Sequence, residues 1–240
     1  MGATCLIPFF NERERIAQVL ETVTKVKNIT QVLCVDDGST DGTAAFIKAY
    51  WPAVKVLRLH QNQGKAAAIR HGLKAAKNEI ILLMDADLQD IQAGEIYDAI
   101  AAFKLYQLDM LILRRINSPW FVKWYRSDIL LSGERLILKS DLKKILSQPV
   151  ERYQLEVAIN NYMLHHGKEV RWMPWSALNT YKVDKWGVLG GSHREFKMYV
   201  EIVGYVGLVN MVLQLTSFAT KRLKRSAKSR PAPPVYAEAI

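Results

Sequence analysis

Residues 80–90 read Ile80-Ile81-Leu82-Leu83-Met84-Asp85-Ala86-Asp87-Leu88-Gln89-Asp90. Five apolar residues in succession have the length of a strand buried on both faces, and the run breaks abruptly at Asp85. Such strands belong to open α/β sheets, where ligands bind outside the carboxyl ends. Asp85 and Asp87 are therefore expected at the mouth of a crevice, with Ala86 small enough to let a ligand approach. In an extended segment, alternation turns Asp85, Asp87 and Gln89 to one side. Three oxygen ligands on one face suit a hard cation, Mg²⁺ or Mn²⁺, that neutralises a diphosphate.

Upstream, the same rhythm recurs. Thr4 to Pro8 is a short apolar strand, after which Asn11 is expected to cap a helix with Ile16, Val19, Leu20, Val23 and Val26 on one face. Gln31 to Val35 is the next strand, ending in Asp36-Asp37-Gly38-Ser39-Thr40-Asp41-Gly42 before a helix over Thr43 to Tyr50. A simple turn and cap needs one such carboxylate, whereas this loop has three. Val54 to Leu59 forms a third strand, and Asn62-Gln63-Gly64-Lys65 opens an alanine-rich helix running to Ala76. The alternation predicts right-handed crossovers onto one mostly parallel sheet with helices on both faces, its first half built like a Rossmann nucleotide-binding unit.

Downstream, a helix over Ala93 to Tyr106 precedes a strand at Met110 to Leu113. The pattern then loosens through Arg114-Arg115, Pro119-Trp120-Phe121, Trp124-Tyr125 and Ser132-Gly133-Glu134-Arg135, where an acceptor side is expected. Glu151 to His165 reads as a helix with Leu155, Ala158, Ile159 and Met163 on one face and an exposed His165-His166 end. Arg171 to Trp175 reads as an edge strand, and Lys182 to Gly191 as a glycine-rich loop; with Lys182, Lys185 and His193 that loop is a candidate closure over a donor. No charge occurs from Ile202 to Thr220, and Lys221, Arg222, Lys224, Arg225, Lys228 and Arg230 follow. That segment reads as a helix lying on a membrane, packed on the core, or marginally spanning. The 240 residues carry a formal charge of +10, which suits nucleic acid, an anionic membrane surface or phosphorylated substrates. Cys5 and Cys34 sit in apolar runs, as buried thiols of a reducing compartment.

The motifs Ile7-Pro8-Phe9-Phe10-Asn11-Glu12, Val35 to Thr43, Asn62 to Lys65 and Asp85 to Asp90, in this order, resemble those of family 2 glycosyltransferases of GT-A fold. The likeness is greatest to the dolichyl- and polyprenyl-phosphate hexose synthases, partly through the Ser132-Gly133-Glu134-Arg135 segment. The resemblance implies a GT-A domain over 1–193, with 1–115 binding a nucleotide sugar and 116–193 the acceptor. A helical segment at 194–225 and a disordered tail at 226–240 complete the expected organisation.

By this resemblance Pro8, Asn11, Glu12, Asp36, Asp37 and Gly38 surround the nucleoside of a UDP-, GDP- or dTDP-hexose. Carboxylates there suit its N–H and O–H donors. Gly64 and Lys65, at a helix start, favour phosphate, although the spacing is not that of a Walker A loop. Asp85, Ala86, Asp87 and Gln89 face the diphosphate and metal. Arg135, with Arg114 and Arg115, is a candidate for holding the donor diphosphate or an acceptor phosphate. Asp87, Arg135 and Glu156 make the expected catalytic set, with Glu156 able to deprotonate an acceptor hydroxyl.

The implied reaction moves one hexose, with inversion, to a lipid or small-molecule acceptor beside an anionic membrane surface; no nucleic-acid partner is expected. Position 168 is Lys where polysaccharide-making relatives have the Gln of Gln-x-x-Arg-Trp, so single additions are expected. Without a signal sequence, the protein is expected in the cytoplasm, peripheral to the inner membrane face. Alternatives are a soluble hydroxyl or glycerolipid acceptor, a nucleotide-sugar sensor, and a haloacid-dehalogenase-type phosphatase with Asp85 as nucleophile.

Overall fold

Apolar runs whose alternate residues pack to opposite sides make the strands of one central sheet. The computed structural model describes residues 2–116, 132–148, 154–179, 213, 216–218 and 221–223. In chain order the elements are β1 (Ala3–Phe9), α1 (Ile16–Val23), β2 (Ile29–Asp36), α2 (Thr43–Tyr50), β3 (Lys55–Arg58), α3 (Lys65–Ala75), β4 (Ile80–Leu83) and β5 (Leu88–Gln89). There follow α4 (Ala93–Leu105), β6 (Met110–Arg115), β7 (Arg135–Leu138), α5 (Lys139–Leu146), α6 (Gln154–His165), β8 (Val170–Trp175) and β9 (Leu178–Asn179).

The seven-stranded sheet has the order β3-β2-β1-β4-β7-β6-β8, and β5 pairs separately with β9. All neighbours in the large sheet are parallel except β7, which runs antiparallel to both β4 and β6. The first four strands thus reverse their winding between β1 and β4, which opens a crevice at their carboxyl ends. Strand β7 lies between β4 and β6, so residues on both sides of position 115 build one sheet.

The strand alternation sorts the core into two layers. Cys5, Ile7, Leu82, Leu111 and Leu136 join the cluster of α1 and α4. Leu6, Ile81, Leu83, Ile112 and Ile137 join that of α3, α5 and α6. Cys5 and Cys34 are buried free thiols, whose pKa values burial pushes up.

Two local expectations change. Asn11 does not cap a helix: it has φ +56°, and α1 begins only at Ile16, after Arg15. The chain also turns at Ala86 and Asp87 between β4 and β5, so the alternation invoked for Asp85, Asp87 and Gln89 does not apply. Gln89 is exposed and pairs with Leu178.

Among the described residues no helix is long and apolar enough to cross a membrane. Most of 202–220, the segments at Pro119 to Tyr125 and Lys182 to His193, and the tail from residue 224 lie outside the described residues.

Arg135 is the largest departure. It is fully buried at the start of β7, where its guanidinium donates to Ser132 O, to Asn160 Oδ1 at 3.0 Å and to Glu156 O at 3.5 Å. Burial pulls its pKa below the ordinary arginine value, although Glu156, Glu134 and Asp85 favour the charged form. In this arrangement it does not reach a diphosphate; it ties β7 to α6. Arg135→Ala should therefore lower the unfolding free energy by about 3–5 kcal/mol, because buried acceptors lose their donor and a cavity opens. Urea unfolding checks this. An unchanged midpoint with impaired nucleotide-sugar binding would return Arg135 to the crevice.

Candidate active site

One side of the crevice is built from the loops after β1 and β2, which clasp each other. Asn11 N–H donates to Ser39 Oγ at 2.9 Å, and Asn11 Oδ1 accepts from Thr40 N–H at 2.9 Å. A short carboxamide that bonds locally tolerates the left-handed backbone found here. Glu12 pairs with Arg15 at 2.6 Å. Asp41 acts as the cap of α2, accepting from the Thr43 N–H and hydroxyl at 3.0 and 2.6 Å. Its pKa lies below the ordinary value: burial works the other way, and the Thr43 bonds prevail.

Asp36 and Asp37 both make bonds inside the protein. Asp36 is fully buried, accepts from Ser39 N–H at 2.7 Å and lies 3.3 Å from Arg58 Nε. Asp37 is also buried and accepts from the Gln63 and Gly64 N–H groups, both at 2.8 Å. It thereby fastens the loop that starts α3 to the end of β2. Gly38 permits this approach: its φ is +82°, and a Cβ there would stand 2.8 Å from Gln61 C. Pro8, in β1, is buried beside Val35.

Lys65, the first residue of α3, reaches across the crevice. Its Nζ lies 2.7 Å from Asp85 Oδ1 and 2.9 Å from Glu156 Oε1. One ammonium thus joins the end of β4 to the first turn of α6. The side chains of Asp85 and Lys65 keep 25% and 29% of their exposure, so a ligand can reach them. Ala86 is buried below, and Asp87 is half-buried. Gly133 makes the contact possible, because a Cβ there would stand 2.7 Å from Asp85 Oδ2 and 2.8 Å from Lys65 Nζ.

Glu134, which sequence reasoning passed over, completes the cluster from the same segment. It is fully buried; the Ser132 hydroxyl lies 3.1 Å from its Oε2 and 2.8 Å from Leu113 O. Burial pushes the Glu134 carboxyl up; Arg115 opposes this and Asp85 adds to it. Asp85 moves the other way: burial disfavours its charge, but Lys65 and Arg115 hold it below the ordinary carboxylate value. Burial also works against the Lys65 ammonium, yet Asp85 and Glu156 keep its pKa above the usual lysine value. Two neighbouring carboxyls with pKa values driven apart are a functional-site signature. The hint available in the sequence was an acidic residue beside a glycine in the Ser132 to Arg135 segment.

Among the described residues no three His, Cys, Asp or Glu side chains gather as a complete metal-ligand set. Asp85 and Asp87 nevertheless fit Mg²⁺ or Mn²⁺ arriving with a diphosphate, since such ions use one or two carboxylates and take other oxygens from substrate and water. The structure thus gathers Asp85, Lys65 and Glu156, with Asp37 and Gly64 nearby in the chain, and leaves Arg135 and Gln89 outside the cluster.

Comparison with known proteins bears on the fold and the family. The chain is 29% identical over 120 residues to the dodecaprenyl-phosphate galacturonate synthase of Rhizobium johnstonii, covering 47% of this chain and 35% of that protein. It is 29% identical over 96 residues to a dolichyl-phosphate beta-glucosyltransferase of Dictyostelium discoideum, covering 34% and 29%. The matches span about a third of the length of these curated relatives. In fold it is similar to glucosyl-3-phosphoglycerate synthase from Mycobacterium tuberculosis, solved with Mn²⁺, uridine diphosphate and glucosyl-3-phosphoglycerate. That likeness has a TM-score of 0.66 at 16% identity, covering 85% of this chain and 80% of the other. The sequence profile of glycosyl transferase family 2 matches residues 4–165, and the chain belongs to that family.

Proposed function

We propose that the protein moves a single hexose from a nucleotide diphosphate sugar to a polyprenyl phosphate or another lipid phosphate, with inversion and with Mg²⁺ or Mn²⁺. Family membership and the polyprenyl- and dolichyl-phosphate substrates named for its relatives support the donor and acceptor classes. The observation that favours an anionic acceptor is the state of Glu156. Its carboxylate is held by the Lys65 ammonium at 2.9 Å, so it is engaged in an ion pair and not presented as a base to a hydroxyl. A phosphate monoester, with a second pKa near 6, needs none, because its oxygen is already negative at neutral pH.

In this reading Asp85 and Asp87 hold the divalent cation with the donor diphosphate. Bound there, it supplies positive charge to the departing nucleoside diphosphate. Lys65 stands where the donor's phosphates meet the amino end of α3 and adds its own charge. Attack comes from the face of the sugar opposite the leaving group. The phosphatase alternative loses its support with the family assignment.

Three outcomes check the proposal. Asp87→Ala should abolish transfer in a radiolabelled-sugar assay while leaving the unfolding midpoint unchanged, and chelation of Mg²⁺ and Mn²⁺ should do the same to the parent protein. Full turnover under chelation would remove the metal from the reaction. Glu156→Gln separates the acceptor classes: kcat should fall less than tenfold on a prenyl phosphate, whereas loss of a general base costs about 10²–10⁴-fold.

The third outcome concerns the membrane. The six basic residues from Lys221 to Arg230 are each worth about 1 kcal/mol on an anionic surface. Full-length protein should therefore sediment with anionic vesicles at low salt and leave them at high salt. Protein that stays in the supernatant at low salt would point to a soluble acceptor.

A further inference from the structure

The helices on the two sides of the sheet differ in charge. Those on one side, α1, α2 and α4, carry Glu21, Glu95 and Asp98 against Lys48 and Lys104. On the other side, α3 and the turn after it bear Arg70, Lys74 and Lys77, and α5 bears Lys143 and Lys144, all of them exposed. The one carboxylate of α5, Asp141, is buried and pairs with Lys168. Glu79, just before β4, is exposed and accepts from Ser140 N–H at 2.8 Å.

Two tethers hold α3 and α5 side by side in opposite directions. Lys139 Nζ donates to Ala76 O at 2.5 Å, joining the start of α5 to the end of α3, and Arg70 Nε donates to Leu146 O at 2.8 Å, joining the end of α5 to the middle of α3. These carbonyl oxygens hold the cations in place without cancelling their charge. Since α3 starts at Lys65 in the crevice and α5 runs back toward it, the surface that the two helices share borders the crevice. Like charges gathered on one surface repel one another, and a polyanion laid against it relieves that repulsion.

The observations favour a lipid bilayer as that polyanion. Lysine is a compact charge on a flexible stem, which suits a headgroup layer that offers no fixed geometry. Neither α3 nor α5 has a Phe, Tyr or Trp to stack on the bases of a single-stranded nucleic acid. Phe218 is 2% exposed and packs into the core layer of α3, α5 and α6. The end of the charge-free stretch 202–220 therefore lies on this side of the sheet, and the basic residues from Lys221 to Arg230 follow it in the sequence. Such a succession has the composition of a segment that lies in a membrane interface.

We infer that the face made by α3 and α5, with Arg70, Lys74, Lys77, Lys143 and Lys144, is the surface by which the protein lies on an anionic bilayer. Its value for catalysis rests on the lipid-acceptor reading, whereas the docking rests on the charge of the face, and the two fail separately in the experiment.

Full-length protein is sedimented at low salt with vesicles of phosphatidylglycerol and phosphatidylcholine, and with vesicles of phosphatidylcholine alone. On an anionic surface each lysine is worth about fivefold in partition, so Lys74→Gln/Lys143→Gln/Lys144→Gln should weaken binding to the anionic vesicles about a hundredfold. A control with the same loss of charge on the opposite side, Lys25→Gln/Lys27→Gln/Lys48→Gln, should bind as the parent protein does. Nucleotide-sugar affinity and the melting temperature should stay unchanged in both. A parent protein that binds vesicles through the α3 and α5 lysines but transfers no sugar to a prenyl phosphate upholds the surface and defeats the lipid-acceptor reading. Equal weakening in the two triple variants, or none in either, overturns the inference, as does a parent protein that ignores anionic vesicles. Retention on an oligonucleotide through these same lysines, with vesicles left unbound, overturns it in favour of nucleic acid.

Discussion

A single ammonium group organises the crevice. Lys65 Nζ is shared between Asp85 and Glu156, one just beyond a strand end and the other in the first turn of a helix. Charges at a partly buried site cost solvation, so the arrangement persists only when the signs balance. Here Lys65, Arg115 and the buried Arg135 stand against Asp85, Glu156 and Glu134, whose carboxyl burial and Asp85 push upward. A diphosphate entering this balanced cluster brings excess negative charge. The physical case for a dication accompanying the donor follows from that imbalance.

Topology explains why the cluster sits where it does. In a wholly parallel sheet, every strand would present its carboxyl end to the crevice. Because β7 is reversed between β4 and β6, its beginning arrives at that edge instead, and it brings Gly133, Glu134 and Arg135 with it. The three residues divide the work by side-chain size and direction. Gly133 leaves room for the Asp85–Lys65 pair, Glu134 lies buried beside Asp85, and Arg135 turns inward to hold α6.

The sheet was legible in the sequence wherever the signal was local. Apolar runs marked β1, β2, β4 and β6, and α2 spans Thr43–Tyr50 as its residues suggest. The sites at Lys65, Asp85 and Glu156 were legible as candidates, but their convergence was not, since positions 65 and 156 meet only through the crossover. Period-two reasoning failed at Asp87 and Gln89 because it presumes an extended chain, and the chain turns at Ala86. The cap expected of Asn11 failed because its carboxamide binds Thr40, a partner on another loop. The internal bonds of Asp36, Asp37 and Arg135 were not legible for a common reason: residue type announces a charge, but only the packed structure shows which backbone groups it binds.

The helix α6 shows how core and site are made by one element. Leu155, Ile159 and Met163 pack it onto the sheet at helical spacing. Glu156 and Asn160, four residues apart on a neighbouring face, meet Lys65 and Arg135. Its far end is fixed separately: Tyr162 donates to Asp141 of α5, and Lys168 just beyond the helix bridges Asp141 at 2.8 Å and Asp109 at 3.2 Å. Asp109 and Lys168 precede β6 and β8, so this network lies at the amino edge of those strands, opposite the crevice. With a rise of about 1.5 Å per residue, a slip of one position would also rotate the helix by more than a quarter turn and break all of these contacts together. The registry that aims Glu156 is therefore set at the far side of the sheet, by groups that touch no ligand.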